Sequence, residues 1–401
     1  MKELRISEWE ALATHLIFTT QTESLHLPQD FAKPITDKIK DTIKDKFMKS
    51  EKLYAEEKDN LWGGKRLIDS YGKAGKNGIC AESWELSFHP DGPSRLKNGK
   101  LLCEAVSEKE LGENTRSFEM FPMMIKLIDA KENLSVQVHP NDEYALKNEN
   151  SYGKTEMWYI VEADEGAGIY LGFKRDVSRE EVESAIKENT LVDLMNFFEV
   201  KAGDCFFIPS GTIHAIGAGC LIYEIQQNSN ITYRVYDYGR KDKNGNTREL
   251  HVEKALAVLN YSSYIRTEAD TELLGISKYF TARRVKLSEE AKVFEKDDAG
   301  FRCITVVNGC GALNENAINK GDSYFIPATE NEFTLSGNLT AILAEIRQYG
   351  LKINNSATKC RAELFDDLGR TVYYSEAENE NEAVEKLLNK ANITLSDLTL
   401  L

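Results

Sequence analysis

Two stretches of this chain are variants of one another, and that limits the fold more than any other feature. KAGDCFFIPSGTIHAIGAGCLIYEI (201–225) and NKGDSYFIPATENEFTLSGNLTAILAEI (319–346) each carry a Gly-Asp pair and an aromatic run ending Phe-Ile-Pro. In each, a short loop then leads to a second run ending Glu-Ile. Gly-Asp suits the tight turn of a hairpin, and Pro closes a strand because it cannot donate to the ladder. A repeat of this kind predicts two related β-barrels in tandem. The copies differ in chemistry: the first has His214 where the second has Glu332 or a neighbouring polar residue, so only the first is equipped for metal.

The surrounding texture agrees. From Leu61 onward, short β-branched and aromatic runs such as FPMMIKLIDA, LSVQVHP, EMWYIVEA and AGIYLGF alternate with Gly, Asn, Asp and Pro, the pattern of an all-β sandwich or barrel. Between Ser178 and Val200 the spacing of Val182, Ile186, Leu191, Leu194 and Phe198 predicts an inserted helix, with Ser178 and Glu181 as its capping box. Near the amino terminus Ile35, Ile39, Ile43 and Phe47 recur every four residues, predicting a helix from about Pro34. Asp37, Asp41 and Asp45 interrupt its lysines, so it reads as a docked surface helix. Beyond residue 350, CRAELFDDLGRTVYYSE predicts a hairpin, and Ala383, Leu387, Leu388 and Ala391 share one helix face. The acids Glu376, Glu378, Glu380 and Glu382 between them suit a linker and a helix amino terminus. The expected division is therefore a helical extension (1–52), a metal-binding barrel (53–260) with its helical insertion at about 178–200, a second, degenerate barrel without metal ligands (261–350), and a terminal hairpin and helix (351–401).

Charge narrows the function. The 401 residues hold 50 Lys+Arg against 65 Asp+Glu, a formal net charge of -15, which argues against nucleic acid because phosphate-backbone affinity rests on Lys/Arg neutralisation. The seven cysteines form no CxxC pair and read as reduced, mostly buried thiols. The opening MKELRISEWEALATHLIF is broken by Glu8, Glu10 and His15, and no run approaches the roughly 20 apolar residues of a membrane span. A cytoplasmic protein with a small-molecule substrate and neither a nucleic-acid nor a membrane partner is expected.

Gln137 and His139 sit two apart in LSVQVHPND, so a strand places both on one face. An inward-facing Gln-x-His pair is costly in an apolar interior unless its polar atoms are satisfied, and a metal would satisfy them. Glu156 in KTEMWYIV and His214 in PSGTIHAIG complete a set of two imidazoles, a carboxylate and an amide oxygen. That N/O set suits Zn²⁺ with positions left open to water or substrate, and also Fe²⁺, Mn²⁺, Co²⁺ or Ni²⁺.

These residues carry a resemblance. LWGGKRLIDSYG (61–72), ESWELSFHPDGPS (82–94), FPMMIKLIDAKENLSVQVHPNDEYA (121–145), YGKTEMWYIV (152–161), GDCFFIPSGTIHAIG (203–217) and QQNSNITYRVYDYGR (226–240) follow one another in family order. The chain thereby resembles the zinc-dependent, cupin-type mannose-6-phosphate isomerases (phosphomannose isomerase type I), in particular the short bacterial form. The resemblance implies a mainly β fold of tandem cupin (jelly-roll) β-barrels with inserted and terminal α-helices, acting as a monomer or homodimer on a sugar phosphate. It implies interconversion of mannose 6-phosphate and fructose 6-phosphate through a cis-enediol, with one Zn²⁺ per chain on Gln137, His139, Glu156 and His214. It puts the catalytic arginine at Arg234, a lysine at Lys154, and phosphate contacts at Ser135 and Arg240. The chemistry calls for such residues: charge developing on oxygen needs a Lewis acid and a fixed cation. A lysine whose pKa is depressed beside a metal can move the proton, with a metal-bound water or a neighbouring carboxylate as the rival.

One position departs from the family pattern. An acidic residue often stands four before the arginine, and here Asn230 does, which cannot act as acid or base at physiological pH. Asp237 or Glu85 is expected to fill that role if it is needed, and Trp62 and Trp84 are candidates for the pocket wall or the core. Two alternatives are a cupin Fe(II) dioxygenase and a catalytically inactive sugar-phosphate-binding protein. Residues 230–251 hold five Lys/Arg against three Asp/Glu, net +2 within an acidic chain, which favours a phosphorylated substrate over the dioxygenase.

Overall fold

The two copies of the Gly-Asp turn close with the same hydrogen bonds. The computed structural model describes residues 48–241, 245–266, 272–356, 359–391 and 393–398. In the first copy Lys201 N donates to Asp204 Oδ2 (3.0 Å), Gly203 N to Ile160 O (2.8 Å) and Ile160 N to Asp204 O (2.9 Å). In the second, Asn319 N donates to Asp322 Oδ2 (3.1 Å), Gly321 N to Val306 O (2.8 Å) and Val306 N to Asp322 O (2.9 Å). Gly203 (φ 95°) and Gly321 (φ 92°) both need the positive φ that a side chain resists.

In chain order the first strands are β1 (Glu51–Lys52), β2 (Glu56–Lys58), β3 (Glu82–Leu86), β4 (Met123–Ala130), β5 (Val136–Val138) and β6 (Glu156–Ala163). β7 (Gly168–Phe173), β8 (Met195–Glu199), β9 (Cys205–Ile208), β10 (His214–Ile216), β11 (Cys220–Gln227) and β12 (Tyr233–Tyr236) follow. Strands β2 to β12 form a sandwich: one sheet runs β2-β3-β4-β11-β6-β9 and the other β12-β5-β10-β7-β8. The sheets stay open rather than closing into a barrel. Their strand alternation fills the interior with Ile128, Ile160, Ile169, Leu171, Phe206, Ile216 and Ile222. β11 is buried along its whole length, so Leu221, Tyr223 and Ile225, on the opposite face from Ile222, are covered as well.

The second repeat lies in one sheet built from β13 (Leu273–Ile276), β14 (Thr281–Glu295), β15 (Arg302–Leu313), β16 (Asn316–Asn319), β17 (Ser323–Ile326) and β18 (Glu332–Glu345), with β1 on its edge. Its own core gathers Ile304, Val306, Phe333, Leu335 and Leu343. β19 (Tyr349–Asn355), β20 (Cys360–Asp366) and β21 (Thr371–Ala377) make a fourth sheet, under which the helix Glu380–Ala391 buries Ala383, Leu387 and Ala391. The expected terminal hairpin and helix are both present.

The insertion at 178–200 differs from its reading as one helix. Ser178 Oγ does accept from Glu181 N (3.2 Å), but the Glu181 carboxylate turns to Arg175 and the helix Arg179–Lys187 ends as Asn189 enters the left-handed region (φ 59°). Leu191–Leu194 is a 3-10 turn and Phe198 lies in strand β8. The apolar spacing that imitated a helix beyond Glu188 belongs to a turn and an edge strand. The helix expected around Ile35, Ile39, Ile43 and Phe47 lies outside the described residues, as do Asp242 and Lys243. All seven cysteines are free thiols, five of them buried. Among the described residues no helix is long and apolar enough to cross a membrane.

Candidate metal centre

The sandwich interior changes from apolar to polar along its strands. Moving down one sheet, Ile128 gives way to Lys126 on β4, Ile222 to Glu224 and Gln226 on β11, and Ile160 to Trp158 and Glu156 on β6. Register aligns Trp84, Lys126, Glu224 and Trp158 as one rung across β3, β4, β11 and β6. On the opposite sheet Arg234, Gln137 and His214 form a rung across β12, β5 and β10. Strand period and register thus bring residues far apart in sequence to one end of the interior.

His139 and His214 point Nε2 at the same carboxylate: Glu156 Oε1 lies 3.7 Å from the first and 3.2 Å from the second. Their other ring nitrogens face backbone carbonyls, His139 Nδ1 at 2.7 Å from Ile231 O and His214 Nδ1 at 2.9 Å from Thr212 O. Donation from Nδ1 fixes the tautomer that leaves a lone pair on Nε2, the form in which an imidazole binds a metal. The Gln137 amide nitrogen lies 3.3 Å from His214 Nε2, and turning the amide end for end presents its oxygen at the same point. All three ionisable groups are buried, and their ligand atoms lie within 4.8 Å of one another.

This cluster fits a divalent cation on the evidence of its own unmet polar atoms. His139 Nε2 and Glu156 Oε1 are buried without a hydrogen-bond partner, a cost of about 1–3 kcal/mol per atom if nothing satisfied them. Burial above all, joined by the Lys154 charge, holds both histidines well below the usual imidazole range, His214 at about 4, so both are neutral ligands at physiological pH. Burial pushes the Glu156 carboxyl up against the pull of Lys154. Its neighbour Glu224 goes the other way despite its burial, held down by Lys154, Lys126 and the Trp158 indole. Among the described residues this is the cluster of three metal-type side chains. In the sheet of the second repeat the position equivalent to Glu156, opposite the Ile of Phe-Ile-Pro, is Arg302, which stacks 4.6 Å over Phe333.

Lys154 is buried beside the cluster, its Nζ 2.9 Å from Glu156 Oε2 and 3.7 Å from Glu224 Oε1. Burial alone would lower its pKa, but the two carboxylates outweigh burial and raise it. The protein's own charges therefore act opposite to the depression expected beside a metal. Arg234 Nε donates to Ser135 Oγ (3.2 Å) and Nη1 to Glu249 O (3.0 Å), so the expected arginine and serine are in contact. Arg240 Nη2 and Arg248 Nη2 converge on Asp237 Oδ1 at 2.6 and 2.5 Å, and Arg248 Nε reaches Asp237 Oδ2 at 2.7 Å. Arg240 Nε is buried without a partner. Burial first, then the Arg248 charge with Arg240 adding to it against the pull of Asp237, lowers Arg234.

Two expectations are corrected. Glu85 cannot supply the missing acid: it lies on the face of β3 away from the cluster, bonded to Ser83 (2.7 Å) and paired with Lys73 (2.6 Å). Asp237 is committed to Arg240 and Arg248. Trp62 joins the apolar core, whereas Trp84 forms a wall with Lys126 4.7 Å over its ring. Sequence reasoning missed Lys126 and Glu224, although a charged residue alternating with Cys220 and Ile222 on a fully buried strand is a legible signal. It also missed that the Asn230 amide donates to Asp91 Oδ2 (2.9 Å).

Fold and site together define a cupin sandwich with a two-histidine, one-glutamate metal-type centre flanked by a lysine and an arginine cluster. The family model for the phosphomannose isomerase type I catalytic domain matches residues 51–166, and that for the mannose-6-phosphate isomerase cupin domain matches residues 270–346. Mannose-6-phosphate isomerase of Streptococcus mutans is 38% identical over 299 residues, 70% of this chain and 93% of its own length. Mannose-6-phosphate isomerase ManA of Bacillus subtilis is 36% identical over 309 residues, 72% of this chain and 96% of its own. The crystal structure of a Bacillus subtilis mannose 6-phosphate isomerase superposes with a TM-score of 0.66 at 34% identity, covering 74% of this chain and 99% of that one. The chain belongs to the type I mannose-6-phosphate isomerase family.

Proposed function

We propose that this protein interconverts mannose 6-phosphate and fructose 6-phosphate as a zinc-dependent aldose–ketose isomerase working through a cis-enediol. The observation that carries the reading is the convergence of neutral His139 and His214 on Glu156, with Lys154 2.9 Å from that carboxylate. Gln137, His139, Glu156 and His214 would hold Zn²⁺, which when bound supplies Lewis-acid stabilisation of charge developing on substrate oxygen. With the charge of a bound cation offsetting the carboxylates that raise its pKa, Lys154, shielded from water, would move the proton between C1 and C2, so that the proton is not lost to solvent. Arg234, fixed by Ser135 and the Glu249 carbonyl, offers a guanidinium to the enediolate oxygen without reorganising.

Arg240, Arg248 and Ser135 supply the phosphate grip. Arg240 and Arg248 on Asp237 leave a surplus of one positive charge, and Arg234, held by Ser135, adds a second to meet a phosphate dianion. On this reading the first sandwich performs the chemistry and the second is a degenerate copy filled by Arg302 and Phe333. The enzyme acts in the cytoplasm on a free sugar phosphate, as a monomer or homodimer. An assay coupling fructose 6-phosphate formation to a reporter tests it: turnover abolished by chelator and by His139→Ala is the expected result. Oxygen consumption without sugar-phosphate turnover would instead favour the Fe(II) dioxygenase reading, and sugar-phosphate binding without turnover the inactive one.

A further inference from the structure

The loop after β3 brings a second titratable pair against the metal centre. In FHPDG, Asp91 N donates to His89 Nδ1 (3.2 Å), and Asp91 Oδ2 lies 3.5 Å from the same ring nitrogen. Asn230 Nδ2 holds that carboxylate oxygen at 2.9 Å, and the next residue, Ile231, holds His139 through its carbonyl at 2.7 Å. Two consecutive residues therefore hold a metal-site imidazole, through the Ile231 carbonyl, and the Asp91 carboxylate, through the Asn230 side-chain amide. From the other side, His89 packs edge-on against Trp84 with ring centroids 6.1 Å apart, and Lys126 over that indole reaches Glu224 at 3.5 Å. Lys58, whose ammonium donates to Asp91 O (2.7 Å), and Lys126 are the cations facing the pair, and Asp91 is the acid facing His89. Burial, aided by these lysines, lowers His89 against the pull of Asp91, so the ring is neutral at physiological pH.

Exposure separates two proton-handling tasks. Glu156 and Lys154 are shut away from water, whereas the Asp91 side chain is 57% exposed and that of His89 18%. A proton leaving one carbon for the next must be kept from bulk water, but a proton passing between two oxygens tolerates it. With Glu85 on the far face and Asp237 neutralised, Asp91 is the carboxylate that meets Asn230 at the edge of the site.

Building on the isomerase reading, we propose that Asp91, held by Asn230 and backed by His89, carries the hydroxyl proton when the sugar ring opens. The carboxylate takes the proton of the anomeric hydroxyl, the bond between C1 and the ring oxygen breaks as C1=O forms, and the proton passes from Asp91 to the ring oxygen. No other reactant is consumed. The buried lysine is left to the carbon-bound proton alone.

The test is isomerisation of mannose 6-phosphate across the pH range by wild type, the isosteric Asp91→Asn, and the exchange Asp91→Asn/Asn230→Asp, which returns a carboxylate to the same contact. Asp91→Asn is expected to lower kcat by about tenfold or more and to remove the acidic limb of the kcat/KM profile at unchanged metal content, with the exchange restoring both. Because Asp91 is exposed, the variant should fold; Asp91→Glu, which keeps the carboxylate, should hold the acidic limb. A kcat within about twofold of wild type, or a lower kcat with an unmoved pH profile, overturns the proposal. A wild-type chain with no turnover removes the isomerase reading itself, whereas an active wild type with an indifferent Asp91→Asn removes only the relay.

Discussion

Lys154 Nζ stands 2.9 Å from Glu156 Oε2, two buried ionisable groups separated by one residue of chain. Thr155 between them is pinned to Gln227, its N–H donating to Oε1 at 2.8 Å while its carbonyl accepts Gln227 N at 3.1 Å, so neither side chain can swing away. Replacing Lys154 by Met keeps the apolar stem and deletes the ammonium. The expected result is a fall in kcat of about 10²–10⁴ with bound metal retained, the usual size of a lost acid–base group. Steady-state kinetics with elemental analysis on one preparation checks it.

Ligation changes protonation in a way calorimetry can count. Glu156 is held above the ordinary carboxyl range by its burial and is protonated near neutrality, while His139 and His214 are already neutral. Metal entry between pH 6 and 7 should therefore expel about one proton, from Glu156, and affinity should weaken as pH falls. Titrations in two buffers of different ionisation enthalpy measure that number. Zero release would place the charge on Glu156 before metal binds.

Arg240 and Arg248 share Asp237, so either can be lost without stranding the carboxylate. A phosphate grip made equally in ground and transition states is uniform binding. Arg240→Ala and Arg248→Ala should each raise KM by about tenfold or more and change kcat by less than about threefold. A kcat-dominated loss would move these residues from binding to chemistry.

The twin turns make an internal control for stability. At Gly203 a Cβ would meet nothing nearer than Arg284 Nη1 at 4.0 Å, so Gly203→Ala costs only the positive-φ strain, about 1–2 kcal/mol. At Gly321 it would stand 2.2 Å from Tyr71 O, a backbone atom that cannot step aside. Gly321→Ala should lower Tm clearly more than Gly203→Ala, and equal melting temperatures would contradict the packing described.

What could be seen in the sequence was what period and register dictate. Gln137 and His139 share a face because strands alternate, and Gly-Asp with Phe-Ile-Pro marked two copies of one turn. Contacts closed by tertiary approach were not visible: Arg248 reaches Asp237 across eleven residues, and Asn230 meets Asp91 across 139. The helix that was overextended to Phe198 shows the other limit. Leu194 and Phe198 fit helical spacing, but the left-handed Asn189 ends the helix and the edge strand β8 takes over. Glu85 failed as the substitute acid because alternation on β3 turns it to the opposite face from Trp84, and only the pairing with Lys73 shows what that face meets.

The most direct measurement is conversion of mannose 6-phosphate to fructose 6-phosphate, followed by phosphorus NMR, with the full chain stripped of metal and then reloaded with Zn²⁺. Loss of conversion on stripping, recovery on reloading, and no recovery in His139→Ala carrying the same treatment are the expected results. Undiminished conversion by the stripped protein, or none by the reloaded protein, would contradict the assignment of catalysis to the His139, Glu156 and His214 centre.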